Sequence, residues 1–206
     1  MAVYDVSMEI HKDMAVYKNN KNKRPKRKIT HRYSIDHINE SKITLGLHTG
    51  THIDAPFHMS ADGETIESID ISKLIVKARV LDFSYLFDKI TEENLKEKDI
   101  EDSSFVLLKT KNSLSEGFNR SFVFLEKSGA AYLHEKGIKG VGIDSLGIER
   151  SQPGHETHTI LMEGGAIIIE GLRLKDISEG DYMMYALPLK IRGGDGAPAR
   201  VVLTDI

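Results

Sequence analysis

The chain reads as an α/β (α+β) fold, strand-rich, and three observations carry that reading. Short segments of period-two alternation fill the first half, and a β-α-β-α-β succession occupies the second. The third is size: 206 residues, 29% charged and 40% hydrophobic, match one ordinary globular domain with core enough to fold without disulfides. No repeat period or low-complexity linker divides the sequence, so residues 1–206 are expected to form a single domain.

Taken in order, residues 31–37 (HRYSIDH) and 41–48 (SKITLGLH) alternate apolar and polar, with Ile43, Leu45 and Leu47 on one face and Thr44, Gly46 and His48 on the other. Residues 74–83 predict a longer, more buried strand, and Glu92 to Lys98 a short helix. Strands are expected near 104–109 and 121–125, then a helix from Ser128, read as its N-cap, to Lys136, with Gly137 placed to end it. A strand at 140–144, a helix near 155–163 stopping before Gly164 and Gly165, and a strand at 166–170 follow. That order predicts parallel pairing with right-handed crossovers. Strands near 182–187 and 199–204 are expected to close the sheet.

Composition narrows the chemistry. Nine histidines and no cysteine exclude a disulfide framework, a Cys-ligated zinc finger, a thiolate-held iron–sulfur cluster and a cysteine nucleophile. Any metal must sit on nitrogen and oxygen. No apolar run approaches the roughly 18–20 residues that span a bilayer, and the first ten residues lack a basic region followed by an apolar one. The expected location is therefore the cytoplasm, with no membrane partner. The net charge of -3 hides a stretch, Lys18 to Arg32, with eight Lys/Arg and no Asp/Glu, which leaves the remainder at -11. It lacks interleaved aromatics, so a solvated loop is expected there and nucleic acid is not an expected partner.

The sharpest feature is His48-Thr49-Gly50-Thr51-His52-Ile53-Asp54-Ala55-Pro56-Phe57-His58. Groups able to bind a metal or move a proton fall at 48, 52, 54 and 58. Thr49, Gly50, Thr51 and Pro56 argue against a helix. On an extended chain all four side chains point the same way, and a bend at Gly50 or Pro56 brings them round one centre. Three His and one Asp in eleven residues suit a divalent metal. Elsewhere, His155 and His158 are three apart on the predicted helix. Glu170 closes the apolar run Ala166-Ile167-Ile168-Ile169, where a carboxylate is costly unless paired or coordinated. Three quieter features carry structural readings. Gly137 to Gly142 is a helix stop and strand entry; Asp144 and Ser145 form a loop without a nucleophile elbow; Asp195-Gly196-Ala197-Pro198 is a turn before the last strand.

The motif HTGTHIDAPFH resembles the H-x-G-T-H-x-D-x-P-x-H signature of the metal-dependent cyclase-like hydrolases, which include bacterial kynurenine formamidases and isatin hydrolases. Gly142-Ile143-Asp144, the interval from His158 to Glu170, Ala186 to Lys190 and Asp195 to Arg200 resemble the same family. The resemblance implies a swivelling β/β/α fold, usually assembled as a homodimer or higher homo-oligomer. It implies two divalent ions per subunit, with zinc expected and manganese the alternative. His48, His52 and Asp54 would bind one ion, Asp54 would bridge to the second, His158 would bind the second, and Glu170 would bridge both. His58 would carry the proton. Tyr17, in Met14-Ala15-Val16-Tyr17-Lys18-Asn19-Asn20, stands where family formamidases carry an aromatic that packs on the substrate ring.

The implied reaction is hydrolysis of an amide C–N bond in a small-molecule substrate, N-formyl-L-kynurenine, to L-kynurenine and formate. A lactam such as isatin, another amide or a lactone would suit the same centre. A metal or nucleic-acid binder without catalysis is favoured only by the basic run, which is expected as a solvated loop, a mobile lid favouring an anionic substrate being the lesser alternative. A proton carrier beside a full ligand set argues against such a binder. His11, His31, His37, His134 and His155 are left without a role.

Overall fold

The structure is a computed structural model that describes residues 1–101 and 104–206. Among these the strands are β1 (Val3–Asp5), β2 (Lys26–His31), β3 (Glu40–Thr44), β4 (His52–Asp54), β5 (Ile75–Asp82), β6 (Lys89–Ile90), β7 (Phe105–Lys109), β8 (Phe124–Leu125), β9 (Gly140–Ile143), β10 (Ile167–Glu170), β11 (Gly180–Pro188) and β12 (Gly196–Thr204). The α-helices are α1 (Tyr33–Asp36), α2 (Glu92–Lys96), α3 (Lys127–Glu135) and α4 (Glu156–Glu163).

The strands β12, β11, β5, β7, β9, β10 and β4 pair in that order, and β4 returns to pair with β12. Seven strands thus close on themselves, with β1 added to the β12 edge beyond β4. Parallel pairing joins β5, β7, β9 and β10, as the β-α-β-α-β order predicts, with α3 and α4 in the connections. The remaining pairings in this sheet are antiparallel.

Period-two alternation divides the apolar side chains into two cores. Ile53, Val80, Leu107, Ile167, Ile169, Ala186 and Val201 belong to the cluster inside the closed sheet. Leu81, Val106, Leu108, Ile143 and Ile168 face the other way, where Leu95 of α2, Leu133 of α3 and Leu161 of α4 cover them.

The structure corrects four expectations. Residues 31–37 are not a strand: β2 ends at His31 and α1 makes one turn, because Asp36 and Asn39 side chains accept the Arg32 and Tyr33 N–H groups at 2.8 and 3.0 Å. The strand expected over 41–48 stops at Thr44, and Leu45 to Thr51 are loop. Alternation there does not mark a buried face, since all five residues of β3 are exposed. The basic run is solvated but is no loop: its second half is β2, paired in a hairpin with β3. Finally, α3 is capped by Glu126, whose carboxylate accepts the Ser128 N–H at 3.0 Å, so Ser128 lies inside the helix.

Candidate metal centre

Strands β4 and β10 supply the centre because their apolar neighbours leave the polar side chains one direction to take. Ile53 is fully buried in the inner core, so His52 and Asp54, on either side of it, face outward beneath α4. On β10, Ile169 takes the inner face and Glu170 the outer one. The antiparallel register sets Glu170 opposite His52 and Ile168 opposite Asp54. The costly carboxylate at the end of the isoleucine run therefore meets the histidine motif. Helix α4 lays His158 over the same point.

The distances form a pattern. Asp54 Oδ1 lies 3.4 Å from His52 Nε2, and Oδ2 lies 3.6 Å from His158 Nε2. Glu170 repeats this, with Oε2 3.4 Å from His52 Nε2 and Oε1 3.4 Å from His158 Nε2. Each carboxylate gives one oxygen to each imidazole. Atoms sharing an ion at about 2.0–2.2 Å stand roughly 3.0–3.5 Å apart at right-angle to tetrahedral geometry. His52 Nε2 and Asp54 Oδ2 are also buried with no hydrogen-bond partner among the described residues, an expensive arrangement that a cation between them would relieve. The residues fit a divalent metal. His48, His52 and Asp54 make one compact set of donors, and Asp54, His158 and Glu170 make another.

Two glycines hold this geometry. Gly50, at φ +67°, bends the chain so that its carbonyl accepts the His52 Nδ1–H at 2.9 Å, leaving Nε2 free to face the carboxylates. Gly171, at φ +71°, follows Glu170, and a Cβ there would stand 2.4 Å from that same Gly50 oxygen. The second bend is the 3-10 turn Pro56–His58, which folds His58 back over the centre. Its ring lies 4.1 Å from that of His48 and 6.1 Å from that of His158.

His48 sits between two acids, Nδ1 2.7 Å from Asp54 Oδ1 and Nε2 2.9 Å from Asp195 Oδ2. Asp195 also lies 3.7 Å from His58 Nδ1. By sequence Asp195 is a turn residue and Glu149 is unmarked; the fold sets Glu149 behind His158, at 3.0 Å. The matching Asp195 to Arg200 segment was the available signal for the first; nothing local marked the second. Tyr17 is half-buried against Gly147, with its ring 5.4 Å from Phe118, and burial followed by the charges of Glu170 and Glu149 pushes its hydroxyl pKa up. His155 lies outside α4, at its N-cap, with an exposed side chain.

Charge in the cluster is balanced internally. Burial opposes protonation of His52, but the Asp54 and Glu170 carboxylates outweigh it and push the imidazole up to about 10. Burial likewise opposes His158, which Asp54, Glu149 and Glu170 push up to about 12. Asp54 and Glu170 go the other way: despite burial, their histidine partners hold Asp54 well below the carboxylate range and Glu170 at about 2. Ligation of a cation displaces the imidazole protons and leaves the carboxylates charged. His58 differs from its neighbours: burial pulls its pKa down, with His48 and His158 acting in the same sense and Asp54 against it.

Residues 4–150 match the Cyclase family model, described as "Putative cyclase". The kynurenine formamidase of Bacillus cereus is 34% identical over 171 residues, covering 82% of this chain and 81% of that protein. A solved structure described as a potential metal-dependent hydrolase with cyclase activity superposes with a TM-score of 0.93 at 49% identity, over 100% of this chain and 98% of the other. Isatin hydrolase A from Ralstonia solanacearum shares the fold at a TM-score of 0.86 and 22% identity, over 98% and 91% of the two chains. With the family model spanning most of the chain and a relative 34% identical over most of both chains, this protein belongs to the Cyclase family.

Proposed function

We propose that the protein is a metal-dependent amidohydrolase that converts N-formyl-L-kynurenine to L-kynurenine and formate. In this reading His48, His52, Asp54, His158 and Glu170 hold two divalent ions, His58 moves the proton, and Tyr17 packs on the substrate ring. The carrying observation is the split of both carboxylates, each turning one oxygen to His52 and the other to His158. The formamidase relative supports the choice of substrate.

Divalent ions held there supply Lewis acidity and lower the pKa of water. The protein's own residues do the rest. Asp54 and Glu170, fixed on neighbouring strands, set the spacing between the donor sets. His58, whose pKa burial pulls below its ordinary value, is neutral at physiological pH and ready to accept a proton. Returning that proton to the leaving nitrogen balances the reaction: water adds to the formyl carbon, the C–N bond breaks, and amine and formate separate.

Zinc as the ion, the cytoplasm as the location and a single domain over residues 1–206 belong to the same proposal, as does a homodimer. The hairpin of β2 and β3 supports the dimer. It exposes Ile29, Tyr33, Ile35, Ile38 and Ile43 beside a basic strand on an otherwise acidic chain. A two-stranded hairpin with no core of its own is marginal in water and gains from cover.

The test is formate release from N-formyl-L-kynurenine by protein stripped with a chelator and reloaded with Zn2+ or Mn2+, with isatin and a lactone in parallel. Metal-dependent formate release is expected. Two ions per chain with turnover of isatin alone would move the enzyme to lactam hydrolysis, and failure to bind any ion would remove the centre.

A further inference from the structure

Glu149 is 5% exposed, and the reaction above leaves it unused. It precedes α4, and its two oxygens have different tasks. Oε2 accepts the Thr157 N–H at 3.0 Å and a Gln152 Nε2–H at 3.1 Å. These contacts serve the start of α4, where His155 at the N-cap makes no capping bond with its side chain. Oε1 accepts from none of the backbone N–H groups there and faces two imidazoles instead. It lies 3.0 Å from His158 Nδ1 and in contact with His155 Nδ1. His158 Nδ1 is buried with no hydrogen bond from the described residues, and Glu149 Oε1, at 3.0 Å, is the carboxylate oxygen that stands against it. On the other edge of the same ring, Nε2 faces Asp54 and Glu170.

We propose that Glu149 is a positioning residue for His158: Oε1 keeps the proton on Nδ1, so that Nε2 presents its lone pair to the ion shared with Asp54 and Glu170. The arrangement is a carboxylate–histidine–metal relay, in which the outer acid fixes the tautomer and the ring angle of the ligand. It rests on the reading of His158 as a ligand. A cap for α4 requires only Oε2, so the alignment of Oε1 with the ring edge opposite the centre is what the cap leaves unexplained. His155 Nδ1 contacts the same oxygen from an exposed side chain.

The experiment measures zinc affinity by competition with a chromophoric chelator on the full chain, for wild type, Glu149→Gln, Gln152→Ala and His158→Ala. Gln at 149 keeps an oxygen for the Thr157 N–H but loses the charge. It should weaken one of the two zinc ions by about 10–100-fold and leave the other unchanged. Gln152→Ala weakens the hold on the helix start and should leave both affinities unchanged. Wild-type affinity in Glu149→Gln, or an equal loss in Gln152→Ala, overturns the proposal. A His158→Ala chain that keeps both ions overturns the ligand reading itself. Nitrogen-15 spectra of the imidazoles in zinc-loaded wild type need no variant: a proton on His158 Nδ1 is expected, and a proton on Nε2 excludes the relay.

Discussion

At the scale of residues, the centre is a contest between burial and pairing. Asp54 is tolerable in the interior because it meets the imidazoles of His48, His52 and His158, and Glu170 because it meets those of His52 and His158; His52 in turn meets two carboxylates and His158 three. Removing one partner leaves the others uncompensated, so Asp54→Ala should lose metal, measured by metal analysis of the purified chain. His58 has a different standing. It is partly exposed on its turn and belongs to neither Asp54-containing donor set. His58→Ala should keep its metal and lose about 10²–10⁴-fold in turnover; full activity in that variant would remove it as the proton carrier. His48, His52, Asp54 and His58 were legible because they sit within eleven residues. Glu170 was legible only as an anomaly, an acid ending an isoleucine run, and its partner across the strands, His52, lies 118 positions away. Glu149 carried no such local sign, and Asp195 only its place in the 195–200 segment that resembles the family, since an acid beside a turn is ordinary until the fold places an imidazole against it.

At the scale of elements, short strands are held by side chains at their ends. Asp144 follows β9 and is buried, with Oδ2 accepting the Thr110 N–H at 2.9 Å and the Ser113 hydroxyl at 2.7 Å, while Oδ1 accepts the Thr110 hydroxyl at 2.6 Å. It ties β9 to the turn after β7, which settles the Asp144-Ser145 pair as structural; the Ser145 hydroxyl itself donates to the Gly147 carbonyl at 2.6 Å. Burial pushes the Asp144 carboxyl up to about 6, against the pull of the Thr110 and Ser113 donors. The folded chain then holds a proton between 3.8 and about 6 that the unfolded chain releases. Stability from this group is therefore present below that window and falls as pH rises through it, by about 3 kcal/mol in all. Asp144→Asn should flatten the slope, read as Tm across the same pH range; an unchanged slope would assign it to other groups. The parallel order β7, β9, β10 was readable from the alternation of periods, because each such strand is buried on both faces and separated by a helix-length connection. The hairpin was not, because alternation reports a half-buried strand only where a sheet lies beneath it.

At the scale of the whole molecule, the closed sheet leaves β2, α1 and β3 outside both cores. In the homodimer proposed above, this arm is the part a second copy covers. Replacing Ile35 and Ile43 by lysine should convert a dimer to a monomer in sedimentation equilibrium without unfolding the chain; a dimer that survives both changes places the interface elsewhere. Sequence alone determined the fold class, the parallel succession, the exclusion of thiolate chemistry and the nitrogen and oxygen ligand set, because each depends on composition or on order along a short stretch. Tertiary structure decided which acids meet which histidines. The pairing of β4 with β10 sets Glu170 opposite His52, the return of β4 to β12 brings Asp195 to His48, and the start of α4 sets Glu149 behind His158. A one-residue shift in either pairing would turn these side chains to the opposite face, so their meeting is a property of register. Register is set by the burial of Ile53, Ile167 and Ile169 in a core built from the whole chain.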